Sequence, residues 1–173
     1  MPRPWQAVEE AASSLERGMN EYEAAANLTY SCQKRGLSDL VVLVAADERI
    51  GRYRHPVPRG NAFEQRVMLA VVAEQHGLHV SLTRFVDFEE LDEESKQPQK
   101  ACDTILVRMR EEATRPGRSL AEAFTDCQRF YAEEGFPDEW RLHHQGGIAG
   151  YTPREIIASA GIRQEIKGGQ AFA

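Results

Sequence analysis

Apolar positions recur along this chain at two different periods, and the changes between them mark its elements. Val8, Ala12 and Leu15 fall at helical spacing near the start. Tyr22, Ala25, Leu28 (or Thr29) and Cys32 repeat that spacing in a second stretch. Ala101, Ile105, Leu106 and Met109 form a third. Leu120, Phe124, Cys127 and Tyr131 carry the pattern most strongly, at spacings of four, three and four. Between the helical stretches, Leu40-Val41-Val42-Leu43-Val44 is a continuous apolar run inside Asp39 to Ala46 and predicts a buried strand. Arg66 to Ala73 and Leu78 to Val86 predict an apolar hairpin turning at Gln75-His76-Gly77.

Polar and glycine positions punctuate these runs in a repeating way. Asn20 and Ser119 are placed as N-caps, with Glu23 and Glu122 three residues later as their capping-box partners. Gly36 and Gly135 supply the left-handed position that ends each helix. At one offset of 99 residues, Gly18, Glu23, Ala24, Gly36 and Asp39 recur as Gly117, Glu122, Ala123, Gly135 and Asp138. The order helix, helix, strands is therefore written twice, over roughly Val8 to Val86 and Gln99 to Phe172. An α+β fold of two pseudo-symmetric halves follows, forming one domain over residues 1–173.

Composition narrows the class. A chain of 173 residues that is 42% apolar is large enough to bury a core. Its formal charge of −6, with acids concentrated from Asp87 to Glu94, argues against nucleic acid or an anionic membrane as partner. That acidic run reads as a solvated linker and lacks the ligand alternation of a calcium loop. Cys32, Cys102 and Cys127 are too scattered for a disulfide framework or a Cys-x-x-Cys zinc site, and each is expected buried and reduced in a helix. There is no apolar signal region and no run of bilayer length, so a cytoplasmic protein is expected.

Candidate chemistry gathers at Arg141-Leu142-His143-His144-Gln145-Gly146-Gly147, followed by Gly150-Tyr151 and Pro153-Arg154-Glu155. Imidazole suits proton transfer or metal ligation near neutral pH. Glycine lets backbone approach a ligand or take positive φ. In extended chain the two histidines point to opposite faces, so His144 is expected to face a pocket and His143 to turn away. His55 closes Arg52-Tyr53-Arg54-His55-Pro56-Val57-Pro58, whose prolines hold the chain extended and pin the imidazole near the end of a short strand. His76 and His79 read as surface positions of the hairpin. His55 and His144, one from each half, are expected to meet in a groove between the halves.

These residues resemble those of the methionine aminopeptidases, prolidases, Xaa-Pro aminopeptidases and creatinase. The likeness runs from about Ala7 to the C-terminus. It rests on His55-Pro56, on Ser81-Leu82-Thr83-Arg84, on His144 with Gly146 and Gly147, and on Tyr151 to Glu155 as a variant of the family's His-Glu-x-Pro element. The resemblance implies a pita-bread fold, here without the family's N-terminal domain and ending before its last strands, since Lys167 to Ala173 reads as a strand just beginning. An open sheet edge there makes a homodimer one way to cover it.

Typical members hold two metal ions with two aspartates, a histidine and two glutamates, which activate water. The resemblance places Ala70 and Ser81 at the aspartate positions and His144 at the ligand histidine, and puts the glutamates at or beyond Ala173. Alanine cannot ligate a metal and serine is a poor substitute for a bridging carboxylate, so a di-metal site is not expected and the cofactor stays open. A single metal on His144 with a nearby carboxylate is the lesser alternative.

Three functions remain. One is C–N bond hydrolysis of a peptide or small amide without the usual metals, with His55 as general base or acid and His144 as its partner. Arg84 or Arg154 then holds a substrate carboxylate, Tyr151 stands where a substrate-contacting histidine is usual, and Glu155 binds an amine or orients a histidine. The second is an inactive domain that keeps its groove for binding a peptide or protein. The third is a conventional metal-dependent Xaa-Pro peptidase that recruits Glu74 or Asp87.

Overall fold

Both predicted capping boxes are formed in the computed structural model, which describes residues 4–173. Asn20 Oδ1 accepts from Glu23 N–H (3.1 Å) while Glu23 Oε2 accepts from Asn20 N–H (2.7 Å). Ser119 and Glu122 exchange the equivalent bonds at 3.3 and 2.8 Å. Each pair satisfies two N–H groups that a helix start leaves without partners. The far ends match as well. Gly36 (φ 70°) and Gly135 (φ 89°) are left-handed, and the next residues, Leu37 and Phe136, donate back to Cys32 and Tyr131 carbonyls.

The chain divides into two compact units, one ending at Glu90 and one beginning at Leu91. The first contains α1 (Pro4–Ser13), α2 (Glu21–Gln33), β1 (Ser38–Ala46), the short α3 (Arg49–Arg52), β2 (Arg66–Gln75) and β3 (Leu78–Asp87). The strands pair antiparallel in the order β1-β2-β3. Val67, Leu69, Val71 and Ala73 alternate with half-buried neighbours along β2 and pack against Ala7, Val8 and Ala11 of α1 and Ala24, Leu28 and Cys32 of α2. The hairpin turns through His76 (φ 56°) and Gly77 (φ 78°), two positive-φ residues of the kind a tight two-residue turn requires.

The second unit contains α4 (Glu93–Arg108), a π-helical turn at Met109–Ala113, α5 (Leu120–Glu133), a 3-10 turn at Glu139–Leu142, and short strands β4 (Gly147–Ala149), β5 (Ile156–Ile157) and β6 (Ala171–Phe172). Its sheet runs β5-β4-β6. Leu120, Ala123 and Phe130 of α5 pack with Ile105, Ile148 and Ile166.

Within each unit the same backbone pairing precedes the capped helix. Gly18 N–H donates to Phe63 O and Phe63 N–H returns to Met19 O, both at 2.9 Å. Gly117 and Ile166 repeat the first bond at 2.9 Å, and Ile166 N–H returns to Arg118 O at 2.7 Å. Both glycines have φ 89°. The duplication read from the sequence is thus matched by a duplicated long-range backbone pairing beside each capped helix.

Several expectations are corrected. Tyr22 is 57% exposed, and the inward face of α2 instead runs Glu21, Ala24, Leu28, Ser31 and Cys32. β1 forms, but Leu40 and Val41 in its first half are exposed, and only its last residues, Val44 to Ala46, are buried. Cys32 and Cys127 are buried, whereas Cys102 is exposed on α4. The acidic run is a linker only in part, because Asp92 N-caps α4 by accepting from Ser95 N–H (2.8 Å) and Glu93 and Glu94 enter its first turn. Among the described residues, no helix is long and apolar enough to cross a membrane.

Candidate functional site

The histidine pair does not lie on a strand. A 3-10 turn precedes it, His143 (φ −154°, ψ 158°) is extended, and the next strand begins only at Gly147. Strand alternation therefore does not apply, and the two rings lie side by side with centroids 4.0 Å apart and planes tilted by 39°. The expectation that His143 turns away from His144 is overturned. His143 Nδ1 lies 2.8 Å from the His144 carbonyl, and Gly146 N–H donates to His144 Nδ1 at 3.3 Å. With a backbone donor on Nδ1, neutral His144 carries its proton on Nε2.

The glycines after the pair serve the chain itself. A Cβ on Gly146 would stand 2.3 Å from the Ala173 carbonyl oxygen, and one on Gly147 would stand 1.9 Å from that of Ile156. These positions are glycine because β6 and β5 crowd the start of β4 from two sides, which answers the choice between ligand approach and backbone demand in favour of the backbone. Beyond them Glu155 closes a tight turn. Its carboxylate accepts from Tyr151 N–H (2.9 Å) and lies over Gly150, where a Cβ would come within 2.4 Å. Tyr151 is 84% exposed. Arg154 is half-buried. Its Nη1 donates to the Pro153 carbonyl (2.6 Å), its buried Nε has no hydrogen-bond partner among the described residues, and burial pushes its pKa down.

A cavity of about 500 Å³ opens in the second unit, lined by apolar residues that include Met109, Leu120, Phe124, Cys127 and Phe172. Gln145 and Gly147 reach its wall, but His144 does not. Burial pushes the Cys127 thiol up to about 11, so it is a packing group rather than a nucleophile.

His55 belongs to the first unit and is exposed. The predicted short strand around it is absent, since Arg49–Arg52 forms a helical turn that Tyr53 closes by donating to Arg49 O at 3.2 Å. Pro56 is buried and its carbonyl accepts Val44 N–H at 3.2 Å. The residue that holds this segment is Glu21, a fully buried carboxylate that sequence reasoning passed over. One signal was present: at the offset of 99 its counterpart is Leu120, an apolar residue on an inward face.

Ala70 and Ser81 lie on the same face of the hairpin. Ala70 pairs with Thr83 and Ser81 with Val72, which makes Ala70 and Ser81 diagonal neighbours on the side opposite the helices. Carboxylates at these two positions would converge, but methyl and hydroxyl groups do not fit a di-metal centre. The proposed recruits are otherwise engaged. Glu74 accepts Gly77 N–H at 2.6 Å and stabilises the hairpin turn, and Asp87 pairs with Arg66 at 2.9 Å. No three His, Cys, Asp or Glu side chains converge as metal ligands among the described residues. Arg84 lies on the helix side of the sheet, opposite Leu69, and its Nε binds Glu9 of α1 at 2.8 Å. It is a tether between β3 and α1, away from the face that carries Ser81.

No curated protein matches this sequence. Solved structures do match the fold. A prolidase from Pyrococcus furiosus superposes with a TM-score of 0.83 at 20% identity, covering 96% of this chain and 50% of its own. An X-Pro aminopeptidase from Thermotoga maritima gives 0.81 at 19%, covering 98% and 49%, and a dipeptidase PepE from Mycobacterium ulcerans 0.83 at 20%, covering 96% and 45%. These identities establish the fold alone, the pita-bread class, and the chain spans about half the length of these proteins. The model of metallopeptidase family M24 matches residues 5–173, and the chain belongs to that family.

Proposed function

We propose that this chain is a C–N bond hydrolase domain, acting on a peptide or small amide, in which imidazole rather than a pair of metal ions handles the proton. One observation carries the reading: the face of β2 and β3 bears Ala70 and Ser81 where the family resemblance calls for two carboxylates, while His144 keeps its imidazole. In this chemistry a neutral imidazole takes a proton from water as the water oxygen bonds to the carbonyl carbon. The same proton then passes to the leaving nitrogen as the C–N bond breaks. His144 and His55 are the two proton-transfer candidates. Arg154, whose buried Nε lacks a partner among the described residues, is the better of the two arginines for a substrate carboxylate, because Arg84 is held by Glu9. Glu155 and Tyr151 act through the turn they close rather than by gripping an amine.

A second reading, a domain that binds a peptide without cleaving it, is favoured by the same loss of carboxylates. Release of proline from Xaa-Pro dipeptides in the presence of a chelator separates the two. Under the proposal, hydrolysis survives chelation and falls by ~100-fold in His55→Ala or His144→Ala. Activity that chelation abolishes and a transition metal restores would overturn it. Peptide binding with no hydrolysis would select the second reading.

A further inference from the structure

We propose that Glu21 is a positioning residue for the segment that carries His55. The first helical position of α2 is occupied by a carboxylate with 0% exposure, a placement that is costly unless the charge is paired and its lone pairs are used. Among the described residues, every partner of the carboxylate lies between residues 46 and 59. Glu21 Oε1 accepts Ala46 N–H at 2.9 Å, and Oε2 accepts Arg59 N–H at 2.7 Å and an ion pair from Arg49 Nη1. Arg49 extends the set by donating from Nη2 to the Val57 carbonyl at 3.1 Å. One carboxylate therefore grips the segment at both ends, at Ala46 and Arg49 and at Arg59 with Val57 joined through Arg49, and His55 lies in the span between.

The fold does not need this charge. At the equivalent position of the second unit, the same capping box is followed by Leu120, buried in an apolar core. A repeat that accepts leucine in one copy and keeps a buried carboxylate in the other has put the carboxylate to a local use. The catalytic side of this proposal rests on His55 as a proton-transfer group; the grip itself does not.

The test uses the full chain with Glu21→Gln, which keeps the shape and one acceptor oxygen, and Glu21→Leu, which copies the second unit. Amide hydrogen exchange of residues 48–59 is expected to quicken by about tenfold or more, the equivalent of losing one charge-assisted hydrogen bond, with α2 and β2 unchanged. The His55 imidazole resonances should broaden or shift. In dipeptide hydrolysis, kcat should fall by about tenfold or more in Glu21→Gln with KM little changed, as expected of a displaced proton-transfer group. Uniform acceleration of exchange across the first unit, or unaltered exchange at 48–59, overturns the proposal. Wild-type protein without hydrolytic activity but with localised exchange in the variants sinks the hydrolase reading and leaves the grip of Glu21 standing.

Discussion

Alanine at Gly36 or Gly135 isolates the energy of one backbone conformation. Both residues have positive φ, 70° and 89°, and both end a capped helix. An added Cβ meets nothing within 4 Å at Gly135 and only Gln75 Nε2, at an ordinary 3.7 Å, at Gly36. Sterics against neighbours therefore drop out, leaving the cost of holding an L-residue in the left-handed region, about 1–2 kcal/mol. Against it stands the reduced freedom of the unfolded chain, about 0.4–1 kcal/mol in favour of alanine. A net loss of about 1 kcal/mol is expected at each site, or about 2–4 °C in Tm for a chain of this size. Gly161→Ala is the control, since Gly161 has no positive φ and open space around its Cβ position, so only the favourable part applies. Urea unfolding followed by circular dichroism compares the three. If Gly36→Ala and Gly135→Ala are as stable as Gly161→Ala, the left-handed helix ends are misassigned.

Two further outcomes test the packing and the corner of the sheet. With a thiol reagent at about pH 8, one equivalent should react in the native protein, slowly, and three after unfolding: burial raises the pKa of all three thiols, but only Cys102 is exposed to the reagent, while Cys32 and Cys127 are buried. Burial alone would raise the Asp47 pKa, but N–H donation from Arg66, Glu64 and Gln65 outweighs it and holds the carboxyl below its ordinary 3.8. Its stabilisation is therefore complete above that value and lost as pH falls through the lower folded one. Asp47→Asn, which tolerates the φ of 49°, should lower the urea midpoint at about pH 6, with the gap to wild type closing as the pH is taken below the folded value.

What could be read from the sequence was whatever neighbours along the chain decide among themselves. Asn20 with Glu23 and Ser119 with Glu122 are contacts three residues apart, and Gly36 and Gly135 answer a local demand for positive φ, so caps, helix ends, hairpin and duplication were all legible. The identities of Ala70 and Ser81 were legible too, and neither side chain is a carboxylate. Contacts distant in sequence decided the rest. Glu21 and Tyr22 are adjacent and both polar-capable, yet segment 46–59, arriving from 25 to 38 residues away, encloses one and leaves the other in solvent. Gly146 and Gly147 look like a ligand loop until β5 and β6 fill the space where side chains would go. The two adjacent histidines share one side because a 3-10 turn, and not a strand, delivers them. Sequence by itself determined the capped helices, the hairpin and the repeat, since short-range hydrogen bonds and apolar periodicity are written residue by residue. Only the tertiary structure decided which polar groups are enclosed and which way the imidazoles face, because burial depends on chain that returns from far along the sequence.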